Sequence, residues 1–121
     1  MLDGKIQNML IRGVPNSNLG LSFGLKCLNN VFNGVNFEGS YKNKMVSLSR
    51  EFHDKPTVDV IYYAGYQFEP DLEFTMLWEI RHRDIEITVN RKRKYFFQHL
   101  EQCYDLFQWN NAVDIDQIFI R

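Results

Sequence analysis

The sequence predicts an α+β domain: an antiparallel β-meander sheet covered by one long C-terminal amphipathic helix, with a second helix near the N-terminus. Three observations point there. Apolar residues alternate with period two through the middle of the chain, they recur at helical spacing between Lys92 and Trp109, and turn-forming clusters cut the chain without a long linker. The chain has 121 residues, 45% of them hydrophobic and 15% aromatic, enough for one core without disulfides or a metal. One domain over 1–121 is therefore expected, and balanced charge with high aromatic content excludes a disordered tail, a histone-like basic protein and a disulfide scaffold.

The first residues, Met1 to Gln7, precede no long apolar run, so no secretory leader is read there and a cytoplasmic, non-membrane protein is expected. Cys27 and Cys103 lie far apart and without metal-binding spacing; the expectation is two reduced, buried thiols. The 19–32 segment fits two patterns. Leu21, Leu25, Leu28 and Phe32 suit a helix, whereas Leu19, Leu21, Phe23, Leu25 and Cys27 suit a strand; helix is the favoured reading.

Met45 to Phe52 and Thr57 to Gln67 read as strands. The strongest alternation follows: Phe74, Met76, Trp78 and Ile80 share one face, and Ile85, Ile87 and Val89 share one face of the next segment. These make a hairpin turning near His82 and Arg83. From Lys92 to Trp109, the residues Phe96, Leu100, Cys103 and Phe107 fall at i, i+4, i+7 and i+11, an amphipathic helical stripe. Val113 to Ile120 supplies the last strand.

Chemistry-bearing motifs fail on context. Gly20-Leu21-Ser22-Phe23-Gly24 matches the pattern of a nucleophile elbow, but no β/α alternation surrounds it. His82-Arg83-Asp84 resembles a kinase catalytic loop in those three letters alone and reads as a polar turn. His53, His82 and His99 are isolated and the glycines are scattered, so neither a metal, a cofactor nor a phosphate loop is expected, and the protein reads as a non-enzyme.

The formal net charge of −1 conceals opposed blocks. Residues 1–50 hold two acids against six bases, residues 51–90 nine acids against three, and Arg91-Lys92-Arg93-Lys94 adds four cations in a row. Acids gathered around a tyrosine-rich strand and hairpin suggest a surface for a basic protein, with carboxylates steering the encounter and aromatics anchoring it. The leading expectation is a protein-binding module, an immunity protein, antitoxin or inhibitor of a toxin or nuclease, contacting it through Tyr63, Tyr66, Glu69, Asp71, Glu73, Glu79 and Glu86. A second reading is an accessory protein that binds nucleic acid or nucleotide through Arg91, Lys92, Arg93 and Lys94. A third is a small ligand-binding or enzyme domain with a pocket between helix and sheet, into which His53, His99 or Tyr104 points.

Overall fold

In the computed structural model, which describes residues 6–16, 20–27, 30–52, 55–62, 66–81, 84–98 and 104–121, the side chains of 30–33, 51, 52, 55–60, 97 and 98 excepted, alternation wins everywhere. The described residues form ten strands: β1 (Asn8–Pro15), β2 (Leu21–Cys27), β3 (Asn30–Ser40), β4 (Met45–Phe52), β5 (Lys55–Tyr62), β6 (Phe74–Ile80), β7 (Asp84–Val89), β8 (Arg93–Gln98), β9 (Leu106–Trp109) and β10 (Val113–Ile120). They build two antiparallel sheets, ordered β10-β1-β6-β7-β8 and β5-β4-β3-β2-β9. The fold is an all-β sandwich.

Several strands turn one set of alternate residues inward. Met9 and Ile11, Phe74, Met76 and Trp78, and Ile85, Ile87 and Val89 face in from the first sheet; Leu21, Phe23, Leu25, Val35, Phe37, Val46 and Leu48 face in from the second. The centre is aromatic. Phe37 meets Phe68 at 5.7 Å and Phe68 meets Phe74 at 5.1 Å between ring centroids, both edge to face, the arrangement that ring quadrupoles favour. Phe68 comes from the connection between β5 and β6, so a crossing segment plugs the space between the sheets.

The expected α+β fold is thus corrected. Residues 92–109 are β8 and β9 where described, not a helix: Tyr95 is fully buried while its neighbour Phe96 is 46% exposed, a period of two. The helical stripe required Phe96 inside. Leu100 and Cys103, which completed that stripe, lie outside the described residues, as do His82 and Arg83 at the expected hairpin turn. The favoured N-terminal helix is also replaced by strands, because Leu21, Phe23, Leu25 and Cys27 all face the core of β2. Both segments contain apolar residues that satisfy either period, and the second sheet's need for a partner decided between them.

Cys27 is buried as expected, but it is disulfide-bonded rather than a free thiol. Cys103, the other cysteine of the chain, lies outside the described residues. Chain distance misled here: Lys26 pairs with Leu106, and the Asp105 N–H donates to the Lys26 carbonyl at 3.1 Å, so the segment leading into β9 returns beside the end of β2.

Candidate functional site

Because inward positions of the second sheet are apolar, its outward positions are free to be polar, and short polar side chains line up across strands. One row runs Ser22, Glu38, Ser47 over β2, β3 and β4, ending opposite Ile61 of β5. The next runs Gln108, Gly24, Asn36, Ser49 over β9, β2, β3 and β4. Gly24 has a steric role, since a Cβ there would lie 2.7 Å from Asn36 Oδ1. Without one, the amide of Asn36 lies low across its neighbour.

At the end of this face, Gly20, Leu21, Ser22, Glu38, Gly39, Ser40, Met45, Ser47 and Asn110 enclose a groove of about 380 Å³. Its rim is pinned. The Asn110 side chain donates to the Gly20 carbonyl at 2.9 Å, and the Asn110 N–H donates to the Ser22 carbonyl at 3.2 Å, closing the residue after β9 onto the entry of β2. Three neighbouring strands span two inter-strand spacings, about 10 Å, and present hydroxyl, amide and carboxylate groups across that width.

The first sheet carries a larger groove of about 500 Å³ on its outer face. Leu10 stands opposite both Phe119 and Leu77 and forms an apolar floor, with Asn8, Glu79 and Arg121 also lining the groove. Size favours this groove, but the polar ladder of the second sheet offers more groups that can orient a ligand.

Several of the residues expected to contact a basic partner are engaged within the chain. Tyr63 lies outside the described residues. Tyr66 is half-buried against Tyr41 and Phe68; burial first, and then the Glu69 carboxylate, push its phenol up to about 12, so it stays protonated. Glu69 is taken by Lys44 at 3.4 Å, whose ammonium sits 3.4 Å from the Tyr41 ring centroid. Asp71 is exposed and tied by its N–H to the Pro15 carbonyl, while Glu73 pairs with Arg12 at 3.6 Å. Glu79 and Glu86 lie across from each other on β6 and β7. Glu86 is only 6% exposed and is held by Arg81 at 2.6 Å and Lys94 at 3.4 Å. Burial opposes its charge, but the Arg81 hydrogen bond and the two cations outweigh that and hold its carboxyl below the ordinary range.

The basic tetrad is divided. Arg91 and Lys92 are exposed at the β7–β8 turn, Arg93 turns over the Tyr62 and Tyr95 rings at 5.4 and 5.6 Å, and Lys94 faces out to Glu86. A strand cannot present four successive side chains on one face. Among the described residues no helix stands over a sheet to form the expected pocket, and Tyr104 is in the core. His53 and His99 lie outside the described residues. Ser22 is the second residue of β2, within a strand and not at an elbow. No described cluster of His, Cys, Asp and Glu could hold a metal ion.

No protein-family model matches the sequence, and no curated protein matches it. Solved structures match in shape. Chicken galectin 2 superposes with a TM-score of 0.81 at 10% identity, covering 97% of this chain and 92% of that one. A toad ovary galectin, solved as a complex with thio-digalactose, gives 0.77 at 11% identity with 97% and 92% covered. A Caenorhabditis elegans galectin gives 0.79 at 11% identity, covering 97% of this chain and 83% of its own. The chain has the galectin-like jelly-roll fold. That finding overturns the immunity or inhibitor reading, its basic toxin or nuclease partner, and the nucleic-acid alternative: the solved structures that share this shape are galectins.

The polar ladder was missed in the sequence because its members lie on separate strands. The signal that existed was local: Ser47 and Ser49 alternate with Val46 and Leu48, and Asn36 and Glu38 alternate with Val35 and Phe37.

Proposed function

We propose that this protein is a non-enzymatic carbohydrate-binding domain that holds a neutral polyhydroxylated ligand on the outer face of its second sheet. The observation that carries the reading is the groove built on the Ser22–Glu38–Ser47 row, with Asn110 at its rim. Sugar hydroxyls donate and accept at once, and serine hydroxyls, an amide and a carboxylate complement both roles. Serine and asparagine also lose little side-chain entropy on binding, which suits a shallow site on rigid strands. The complex of toad ovary galectin with thio-digalactose supports galactosides as the first ligands to try.

Binding without turnover is supported by the groove's acid content. Glycoside hydrolysis generally uses a pair of carboxyl groups across the scissile bond, and Glu38 is the one carboxylate among the described lining residues. The disulfide at Cys27 favours work in an oxidising compartment, where such bonds persist, over the cytoplasm suggested by the N-terminus and cysteine spacing. No helix among the described residues is long and apolar enough to cross a membrane.

Calorimetric titration with thio-digalactose and a glycan array test the reading. Ser47→Val, which keeps the strand and removes one hydroxyl, is expected to weaken binding about tenfold, the loss of one hydrogen bond. Failure of every glycan to bind, or unchanged affinity in Ser47→Val, would sink the proposal for this face.

A further inference from the structure

Among the described residues lining the groove, Glu38 carries the only full charge. Its row neighbours Ser22 and Ser47 are neutral, and Ser40, Met45 and Asn110 add none. No lysine or arginine is among the described lining residues. Lys44, in the turn after β3, sits on the Tyr41 ring and against Glu69. Lys26 shares the outward face of β2 but stands four residues from Ser22, about 13 Å along the strand and beyond a physiological Debye length. Lys42 is exposed in the turn two residues past Ser40.

From this arrangement we infer that Glu38 sets the charge specificity of the face: it admits neutral glycans and glycans bearing a free amine, and it rejects those carrying a carboxylate or sulfate. The inference rests on the carbohydrate reading and deepens it. An ionised carboxylate only accepts hydrogen bonds, so it is satisfied by hydroxyls and, with charge assistance, by an ammonium group. A ligand anion seated in the same groove finds no cation among its described lining residues. At about 4 Å the repulsion between two carboxylates costs about fivefold in affinity even at the dielectric of bulk water, and more where the groove excludes water.

The test is a matched set of β-galactosides in neutral, free-amine, 3-sulfated and sialylated forms. Each is titrated at low and at physiological ionic strength into the wild-type protein, Glu38→Gln and Lys42→Ala, with thermal melts confirming that each variant is folded. The wild type is expected to bind the neutral form and to bind the amine form at least as tightly. Sulfated and sialylated forms should bind about fivefold more weakly or worse, with the gap narrowing as salt rises. Glu38→Gln should close the gap and Lys42→Ala should leave it open. Equal wild-type affinity for neutral and anionic forms, or a gap that persists in Glu38→Gln, overturns the charge proposal and leaves the carbohydrate reading standing. Binding of no member of the set overturns the carbohydrate reading itself, and this inference with it.

Discussion

Asn90 and Arg91 both have positive φ, 53° and 59°, where the chain reverses between β7 and β8. Hairpin turns of the primed kind need that sign, because it matches the twist of the flanking strands. Asparagine tolerates it, and Asn90 is further fixed by Thr75: its side-chain oxygen accepts from the Thr75 N–H at 2.9 Å while its own N–H donates to the Thr75 carbonyl at 2.9 Å. Arg91 has no comparable compensation in its backbone, since a left-handed conformation brings Cβ against the carbonyl oxygen. Arg91→Gly is therefore expected to stabilise the protein by about 0.5–1 kcal/mol and to raise the melting midpoint by a few degrees. An unchanged or lowered midpoint would show that the turn is not strained at that residue.

At the scale of elements, Glu86 binds three pieces of the first sheet together. It sits on β7 opposite Glu79 of β6, and its two oxygens reach Arg81, just past β6, and Lys94 on β8. Two carboxylates facing each other across strands destabilise a sheet unless cations intervene, and these two cations intervene. The folded-state pKa of Glu86 lies below its ordinary value of 4.5, so its contribution is present above that value and is lost as the pH falls through the lower, folded one. Glu86→Gln should thus lower stability by about 1 kcal/mol or less at neutral pH. The difference from wild type should shrink as the pH falls below 4.5, as read by denaturant titrations in a series from pH 7 downward. The β6–β7 pairing itself was legible, because Phe74, Met76 and Trp78 fall on one face of β6 and Thr75, Leu77 and Glu79 on the other, and Ile85, Ile87 and Val89 share one face of β7. β8 was not legible in the same way. Tyr95, Phe96 and Phe97 are three aromatics in succession, which fit either period, and β8 is an edge strand that β7 and the core select.

Across the whole molecule, the disulfide at Cys27 adds a covalent constraint. The sequence holds one other cysteine, Cys103, with 75 residues between the two. A disulfide removes conformational freedom from the unfolded chain, worth roughly 2–4 kcal/mol. Reduction, or Cys27→Ser, is expected to lower stability by that amount, measured as a reduced denaturant midpoint with an intact far-ultraviolet β signature below the transition. A midpoint insensitive to reductant would remove the disulfide from the stability of the fold. The sandwich otherwise rests on burial between two faces, centred on Phe23, Phe37, Phe68 and Phe74, and that core holds the second sheet rigid beneath its polar outer rows.

Period-two patterning and turn chemistry are local properties, and they determined the central strands and the hairpin of β6 and β7. Two further matters were open to local pattern and closed by tertiary structure. The described parts of 19–32 and 92–109, whose apolar residues satisfy both periods, hold strands because two sheets must cover each other and the returning β9 needed β2 as its neighbour. The candidate site is likewise nowhere contiguous: Ser22, Glu38, Ser47 and Asn110 come from four parts of the chain, and only cross-strand register sets them side by side. Charge along the chain pointed to one acidic surface, but folding placed each of Glu69, Glu73 and Glu86 against a cation and set Glu38 in the groove as its one charged residue among those described. Sequence fixes which residues alternate, whereas function depends on which strands are neighbours, and neighbour choice is made by the burial energy of the whole sandwich.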